Sequence, residues 1–368
     1  MVQKYDGLER MKSIGYETYE YRQSQEVGLR IGKYSVTLRR FRGIWGYYER
    51  ISRKNRTLDL TQTIMSMEKF RYYVKSTRLR TLPLSLAGII TGIGLAAADY
   101  RINWGVAALV ALTAVCLQIL SNVSNEYGDC LSGTDGDDRQ GPNYSKGHLG
   151  DKDYRRMVAF WAVMSCVSGA AMVYTSYGTF LQLEPIMLII LGAAAVMAAI
   201  KYTLGRHPYG YSGHGDIAVF IFFGIVSVLG AYFVVAHEIP SFYLLMPASA
   251  IGLFSVGVLN INNIRDMKTD AATRVTIAIR LGEKKARIYQ TLLIVGGWAL
   301  LFGYVFGCRM FDWRHCLFLV TLPLYAIHLI GVWKHNGHAL DKYFPMLVMG
   351  TFALSILLAV GFTAYLWQ

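Results

Sequence analysis

Asn125-Glu126-Tyr127-Gly128-Asp129, running on to Asp135, closes one long apolar segment of the chain, and Asn262-Asn263-Ile264-Arg265-Asp266-Met267-Lys268-Thr269-Asp270 closes another. On a helix Asn125 and Asp129 fall one turn apart on a common face, as do Asp266 and Asp270, so each stretch aims clustered oxygens in one direction. Carboxylates beside a bilayer are costly, and they mark a functional site by default. Two such clusters suit Mg²⁺ holding a polyanion, most simply a diphosphate, because Mg²⁺ takes few protein oxygens and leaves its other positions to water and phosphate. The competing reading is a pair of solvated loop ends.

Working outward, 54% of the residues are apolar, mean hydropathy is positive, and the charges crowd into short stretches. The chain reads as an all-α integral membrane protein. About nine spans are expected, near 82–98, 104–127, 156–177, 185–204, 216–236, 241–263, 288–308, 315–333 and 345–366, each approaching the roughly 20 residues that cross a hydrocarbon core. Basic residues fall before the first span and after the second, fourth and sixth, whereas the alternate loops offer little beyond Arg101, Arg309 and Arg314. The positive-inside rule therefore puts the N-terminus and both acidic clusters on the cytoplasmic side and Gln368 outside.

The net charge of +13 is a topology signal first and an attraction to the anionic bilayer second. No nucleic-acid partner is expected, since no aromatic-basic pattern or binding fold accompanies the charge. The five cysteines are scattered without a CxxC or zinc-like spacing, and read as free thiols. Residues 1–66 are polar, basic and rich in Tyr and Arg, with no stretch long enough for a signal peptide or a span. They are expected to be a disordered extension or the product of a start assigned too far upstream, with a lipid-binding arm as the alternative; residues 67–368 form the membrane domain.

Asp129, Asp135, Asp266 and Asp270, helped by Asn125 and Asn262, are the candidate ligands for a metal-bound diphosphate. Arg139, Lys146, Arg265 and Arg274 stand beside them and can add the positive charge that a leaving diphosphate needs. Each base also fits an ordinary positive-inside anchor. A third stretch, Lys201 to Asp216, joins the fourth and fifth spans; Tyr202 and Tyr209 can present π faces to a flat substrate or a carbocation, and Lys201 and Arg206 can pair with an anion. Interfacial tyrosine belts are the alternative there.

The paired acidic stretches resemble those of the UbiA superfamily of intramembrane aromatic prenyltransferases. Gln118-Ile119-Leu120-Ser121-Asn122, Pro208-Tyr209-Gly210-Tyr211, Leu259-Asn260-Ile261-Asn262-Asn263 and Arg280-Leu281-Gly282-Glu283 resemble its menaquinone-pathway branch, and the likeness covers roughly residues 69–368. The resemblance implies nine helices around a central cavity, Mg²⁺ as cofactor, a polyprenyl diphosphate as donor and an aromatic acid, 1,4-dihydroxy-2-naphthoate, as acceptor. It further implies demethylmenaquinone, CO₂ and diphosphate as products, and the bacterial cytoplasmic (inner) membrane as location. Asp129, Asp266, Asp270 and Arg139 are then the expected catalytic groups. Arg80 and Lys201 are the candidates for the acceptor carboxylate. Two departures stand out: Glu126 occupies a usual Asp position, and Asp270–Thr276 is one residue short and lacks a Gly-Lys pair, so that Arg274 takes the role of the lysine. Alternatives are a sister enzyme acting on 4-hydroxybenzoate or homogentisate, which the PYGY and NINN stretches argue against, and a transporter, which would need mid-span ionisable groups.

Overall fold

A computed structural model describes residues 69–132, 149–206, 208–308 and 312–364, together with three strands between residues 17 and 39. Among these residues nine helical segments are long and apolar enough to cross a membrane: α1 (Lys69–Asp99), α2 (Trp104–Ser132), α3 (Asp151–Tyr177), α4 (Leu183–Lys201), α5 (Gly215–Ala236), α6 (Phe242–Arg265), α7 (Glu283–Gly307), α8 (Trp313–Lys334) and α9 (Gly337–Thr363). Helices are what such runs must form, because hydrocarbon offers no partner for an open backbone N–H or C=O. The chain divides into two units, Met1–Met67 and Glu68–Gln368.

In the first unit β1 (Glu17–Glu20), β2 (Glu26–Ile31) and β3 (Tyr34–Arg39) form an antiparallel meander in the order β1-β2-β3. Its register pairs Val27 with Leu38, Leu29 with Val36 and Ile31 with Tyr34. Strands here differ from the disordered extension expected for residues 1–66. The reason is a period-two alternation of apolar residues from Val27 to Leu38, too short for a span but sufficient for paired strands.

The second unit is built on α1 and α6. α1 packs on α2, α5, α6 and α9, while α6 packs on α5, α7 and α9. Without a hydrophobic drive between helices in lipid, close backbone approach has to hold such a bundle. Gly92 of α1 supplies one instance, since a Cβ there would run into the Val228 carbonyl of α5. Phe254, Trp298 and Tyr325 knit α6, α7 and α8 together, with ring centroids 4.8 Å apart for Phe254–Tyr325 and 5.3 Å for Trp298–Tyr325. Asn260 donates to Gln290 at 2.8 Å, Gln290 meets His328 at 3.0 Å, and His328 meets the Tyr343 carbonyl at 3.0 Å, so one chain of buried polar contacts links four spans.

α1 begins earlier than the apolar run at Leu82 suggests. Residues 69–76 are helical, Arg78 adopts the left-handed conformation (φ 48°), and a 3₁₀ turn at Leu79–Thr81 leads into Leu82–Asp99. Tertiary contacts hold this polar entry segment: Lys69 and Tyr73 reach Asp153 at the start of α3, at 2.8 and 3.1 Å.

Candidate active site

One end of the bundle carries the polar chemistry. α2 stays helical to Ser132, so Gln118, Asn122, Asn125 and Asp129, spaced by four, three and four residues, form a single polar stripe on an apolar span. That stripe lines a chamber of about 170 Å³ between α1, α2, α5 and α6, along with Arg78, Arg80, Tyr211, Asn262 and Arg274.

Asp129 is only 5% exposed. It accepts a hydrogen bond from the Tyr211 hydroxyl at 2.7 Å and lies 3.5 Å from Arg274 and 3.9 Å from Arg78. Arg274 also reaches Asp270 at 3.3 Å and lies 5.2 Å over the Tyr211 ring. Burial opposes its charge, but the Asp129 and Asp270 carboxylates outweigh burial, so the guanidinium titrates above its ordinary range. Burial, with Asp129 adding to it, drives the Tyr211 phenol well up, and burial alone pushes Tyr209 up to about 12. Both phenols stay protonated at working pH, as the Tyr211 donor role requires.

The second acidic pair behaves differently from the sequence expectation. α6 stops at Arg265, Asp266 turns the chain, and a short helix, Met267–Asp270, follows. Asp266 accepts two bonds from Arg265 at 2.7 and 2.6 Å, and Arg265 also donates to Asp341 at 2.8 Å. Asp270 turns to Arg274 instead. Neither Asp266 nor Asp270 lines the chamber; from this side Asn262 and Asn263 do. Asp270 is nonetheless linked to Asp129 through the one guanidinium they share.

The tyrosine loop is folded onto the chamber. The Val275 amide donates to the Tyr211 carbonyl at 2.9 Å, tying the loop to the segment after Asp270. Tyr202 and Tyr209 meet edge to face at 5.3 Å. Lys201 and Arg206 are exposed and line neither this chamber nor the cavity below it. Arg80 does line the chamber; it lies 5.3 Å over the Phe344 ring and has no carboxylate partner among the described residues. Asp135 and Arg139 lie outside the described residues.

Sequence reasoning missed Arg78, which donates to Glu126 at 2.8 Å and faces the chamber. The sequence assigns no role to Asn122, whose amide holds the Thr77 carbonyl at 2.7 Å and Thr81 at 2.9 Å. The four-residue polar stripe on α2 was the signal for Asn122. Arg78 had none, because its basic flank looks like any anchor.

Beneath the chamber lies an apolar cavity of about 330 Å³ between α2, α4 and α5. Asn122, Asn125, Tyr202 and Phe223 line both spaces, so the two share a wall. Phe223 sits in a π-helical segment of α5, Phe220–Val226, a distortion frequent at functional sites. The height of Tyr202 is set by Gly128, where a Cβ would stand 2.6 Å from the Thr203 carbonyl oxygen and Cβ. Gly128→Val is therefore expected to cost about 1–3 kcal/mol of stability through overpacking, read as a lowered melting temperature in detergent.

Among the described residues no three His, Cys, Asp or Glu side chains converge as a closed metal cage. The donors present, Asp129 and Asn125 with Asp270 one guanidinium away, are hard oxygens in small number. That set fits Mg²⁺ shared with a diphosphate, which completes its octahedron from phosphate and water.

A polar chamber with buried carboxylates and arginines adjoins an apolar cavity within a bundle of nine described membrane-length helices, the arrangement of an intramembrane enzyme. Residues 85–356 match the UbiA prenyltransferase family, and the chain belongs to it. It is 39% identical over 268 residues to 1,4-dihydroxy-2-naphthoate octaprenyltransferase of Escherichia coli, covering 71% of this chain and 85% of that protein. The enzyme of the same name from Haemophilus influenzae is 36% identical over 303 residues, covering 81% and 97%. In fold the chain is similar to a UbiA homologue from Archaeoglobus fulgidus whose structure is bound to GPP and Mg²⁺, with a TM-score of 0.59 and 13% identity over 81% of this chain and all of that one.

Proposed function

We propose that this protein transfers the polyprenyl group of a polyprenyl diphosphate to 1,4-dihydroxy-2-naphthoate, giving demethylmenaquinone in its reduced, quinol form, CO₂ and diphosphate. The observation that carries the reading is the wall shared by the polar chamber and the apolar cavity, which gives one substrate's head and tail adjoining compartments. The choice of acceptor is supported by the names of the relatives at 36–39% identity and by the sequence motifs. Residues 67–368 carry the activity. The chamber faces the cytoplasm across a bacterial inner membrane, the side that the basic loops favour.

Asp129 and Asn125, with Asp270 nearby, would hold Mg²⁺, which when bound supplies charge to a leaving diphosphate. Arg78 and Arg274 bind the diphosphate oxygens directly. The allylic carbon then lies where the two compartments meet, beside Tyr202 and Tyr209, whose π faces stabilise positive charge as the C–O bond breaks and the pair leaves with diphosphate. The electron-rich naphthoate ring attacks that carbon, held by its carboxylate on Arg80. Departure of the carboxyl group as CO₂, with its proton released, restores the aromatic ring and leaves the product in its reduced, quinol form.

Purified full-length protein, given labelled octaprenyl diphosphate and a panel of aromatic acids, is expected to prenylate the naphthoate in Mg²⁺, to stop in excess chelator, and to recover when Mg²⁺ is restored. A preference for 4-hydroxybenzoate or homogentisate would overturn the acceptor. Full activity in chelator would overturn the metal.

A further inference from the structure

The deep half of the apolar cavity holds two glycines with no packing reason to be glycine. Gly192 lies on α4 and Gly230 on α5, and both line the cavity. A Cβ built on either meets no atom within 4 Å, in contrast to Gly92 and Gly128, where the added carbon collides with a neighbouring helix or loop. Glycine inside a helix is destabilising, since the unfolded backbone has more freedom to lose. At Gly92 and Gly128 close approach offsets that cost; at Gly192 and Gly230 no protein contact does.

The geometry of the cavity supplies the missing reason. Its walls run from Asn125 beside the chamber down to Val110 on the same helix, fifteen residues or about 22 Å of helix axis. Gly192 and Gly230 stand on different walls in the lower part of this length, with Leu188 and Val234 beyond them. A short isoprenoid anchored by its diphosphate in the chamber ends above them, whereas a long one has to pass them.

We propose that Gly192 and Gly230 decide how long an isoprenoid chain this protein accepts, by leaving the lower cavity open to the distal units. The inference rests on the prenyl-transfer reading, but it concerns the tail and not the reaction. A side chain at either position should block long donors and spare short ones, because the head and first units bind far above it.

The test compares geranyl with octaprenyl diphosphate on wild type, Gly192→Leu, Gly230→Leu and the two alanine variants, reading equilibrium binding as well as transfer. The leucine variants are expected to keep geranyl binding near wild type and to weaken octaprenyl binding at least about 10-fold, the scale of misfit in an apolar pocket. The alanine variants are expected to keep both donors and to melt no lower than wild type. Gly192→Leu, on the other cavity wall and with open space around the added side chain, remains informative if Gly230→Leu does not fold. Equal loss of both donors, or loss of neither, overturns the proposal. If wild type binds donors but transfers nothing to the naphthoate, the reaction assignment fails while the binding contrast still decides the role of the glycines.

Discussion

Asp129→Ala is expected to lower the rate of prenyl transfer at least about 100-fold, the scale of losing a principal electrostatic stabiliser of a leaving group. The protein should still fold, because each cation around Asp129 keeps another carboxylate: Arg274 lies 3.3 Å from Asp270, and Arg78 lies 2.8 Å from Glu126. The variant therefore leaves no buried arginine unpaired, the condition under which breaking an ion pair becomes strongly destabilising. Asp129→Asn sharpens the test. It keeps an acceptor for the Tyr211 hydroxyl, which bonds Asp129 at 2.7 Å, but removes the charge that metal binding requires. If the charge is what matters, asparagine is nearly as damaging as alanine in single-turnover rates, while both variants melt close to wild type. An asparagine variant with wild-type rates would reduce Asp129 to a hydrogen-bond acceptor and remove the metal from its side.

Which parts of this arrangement were legible in the sequence follows from what sets each one. Bilayer thickness fixes span length, so nine apolar runs gave nine helices, and the all-α reading of the membrane unit agrees with the structure. The α2 stripe from Gln118 to Asp129 was legible for the same kind of reason, since helical period is local. Asp266 and Asp270 were not, because their directions depend on a helix end at Arg265 and on Asp341, seventy-six positions away from Arg265. The start of α1 at Lys69 was hidden because contacts with Asp153 hold it, not apolarity. The strands between Glu17 and Arg39 are hard to read because the alternation of Val27, Leu29, Ile31, Val36 and Leu38 is short and lies in a polar, basic stretch. Bases were the least legible class. Nothing local distinguishes Arg80, which follows the left-handed turn at Arg78 and lines the chamber, from Lys201 and Arg206, which do not line it.

That last distinction carries the second large effect. Arg80→Ala is expected to raise the apparent KM for the naphthoate about 10-fold or more, the worth of a hydrogen bond to a charged group, and to change the KM for octaprenyl diphosphate little. Of the three arginines on the chamber wall, Arg78 and Arg274 are already engaged by Glu126, Asp129 and Asp270. Among the described residues Arg80 has no carboxylate partner and lies over the face of Phe344, which orients its planar fork without using its donors. A loss confined to one substrate's KM is the signature of a group that binds that substrate in ground and transition states alike. Arg80→Lys should fall between, since lysine keeps the charge but loses the fork and the stacking. Lys201→Ala and Arg206→Ala should leave both constants near wild type, because neither side chain reaches the chamber. Steady-state kinetics with each substrate varied in turn separate the assignments: an acceptor effect found at Lys201 or Arg206 and absent at Arg80 would move the carboxylate site out to the tyrosine loop, and equal effects on both substrates at Arg80 would make it a diphosphate ligand beside Arg78 and Arg274.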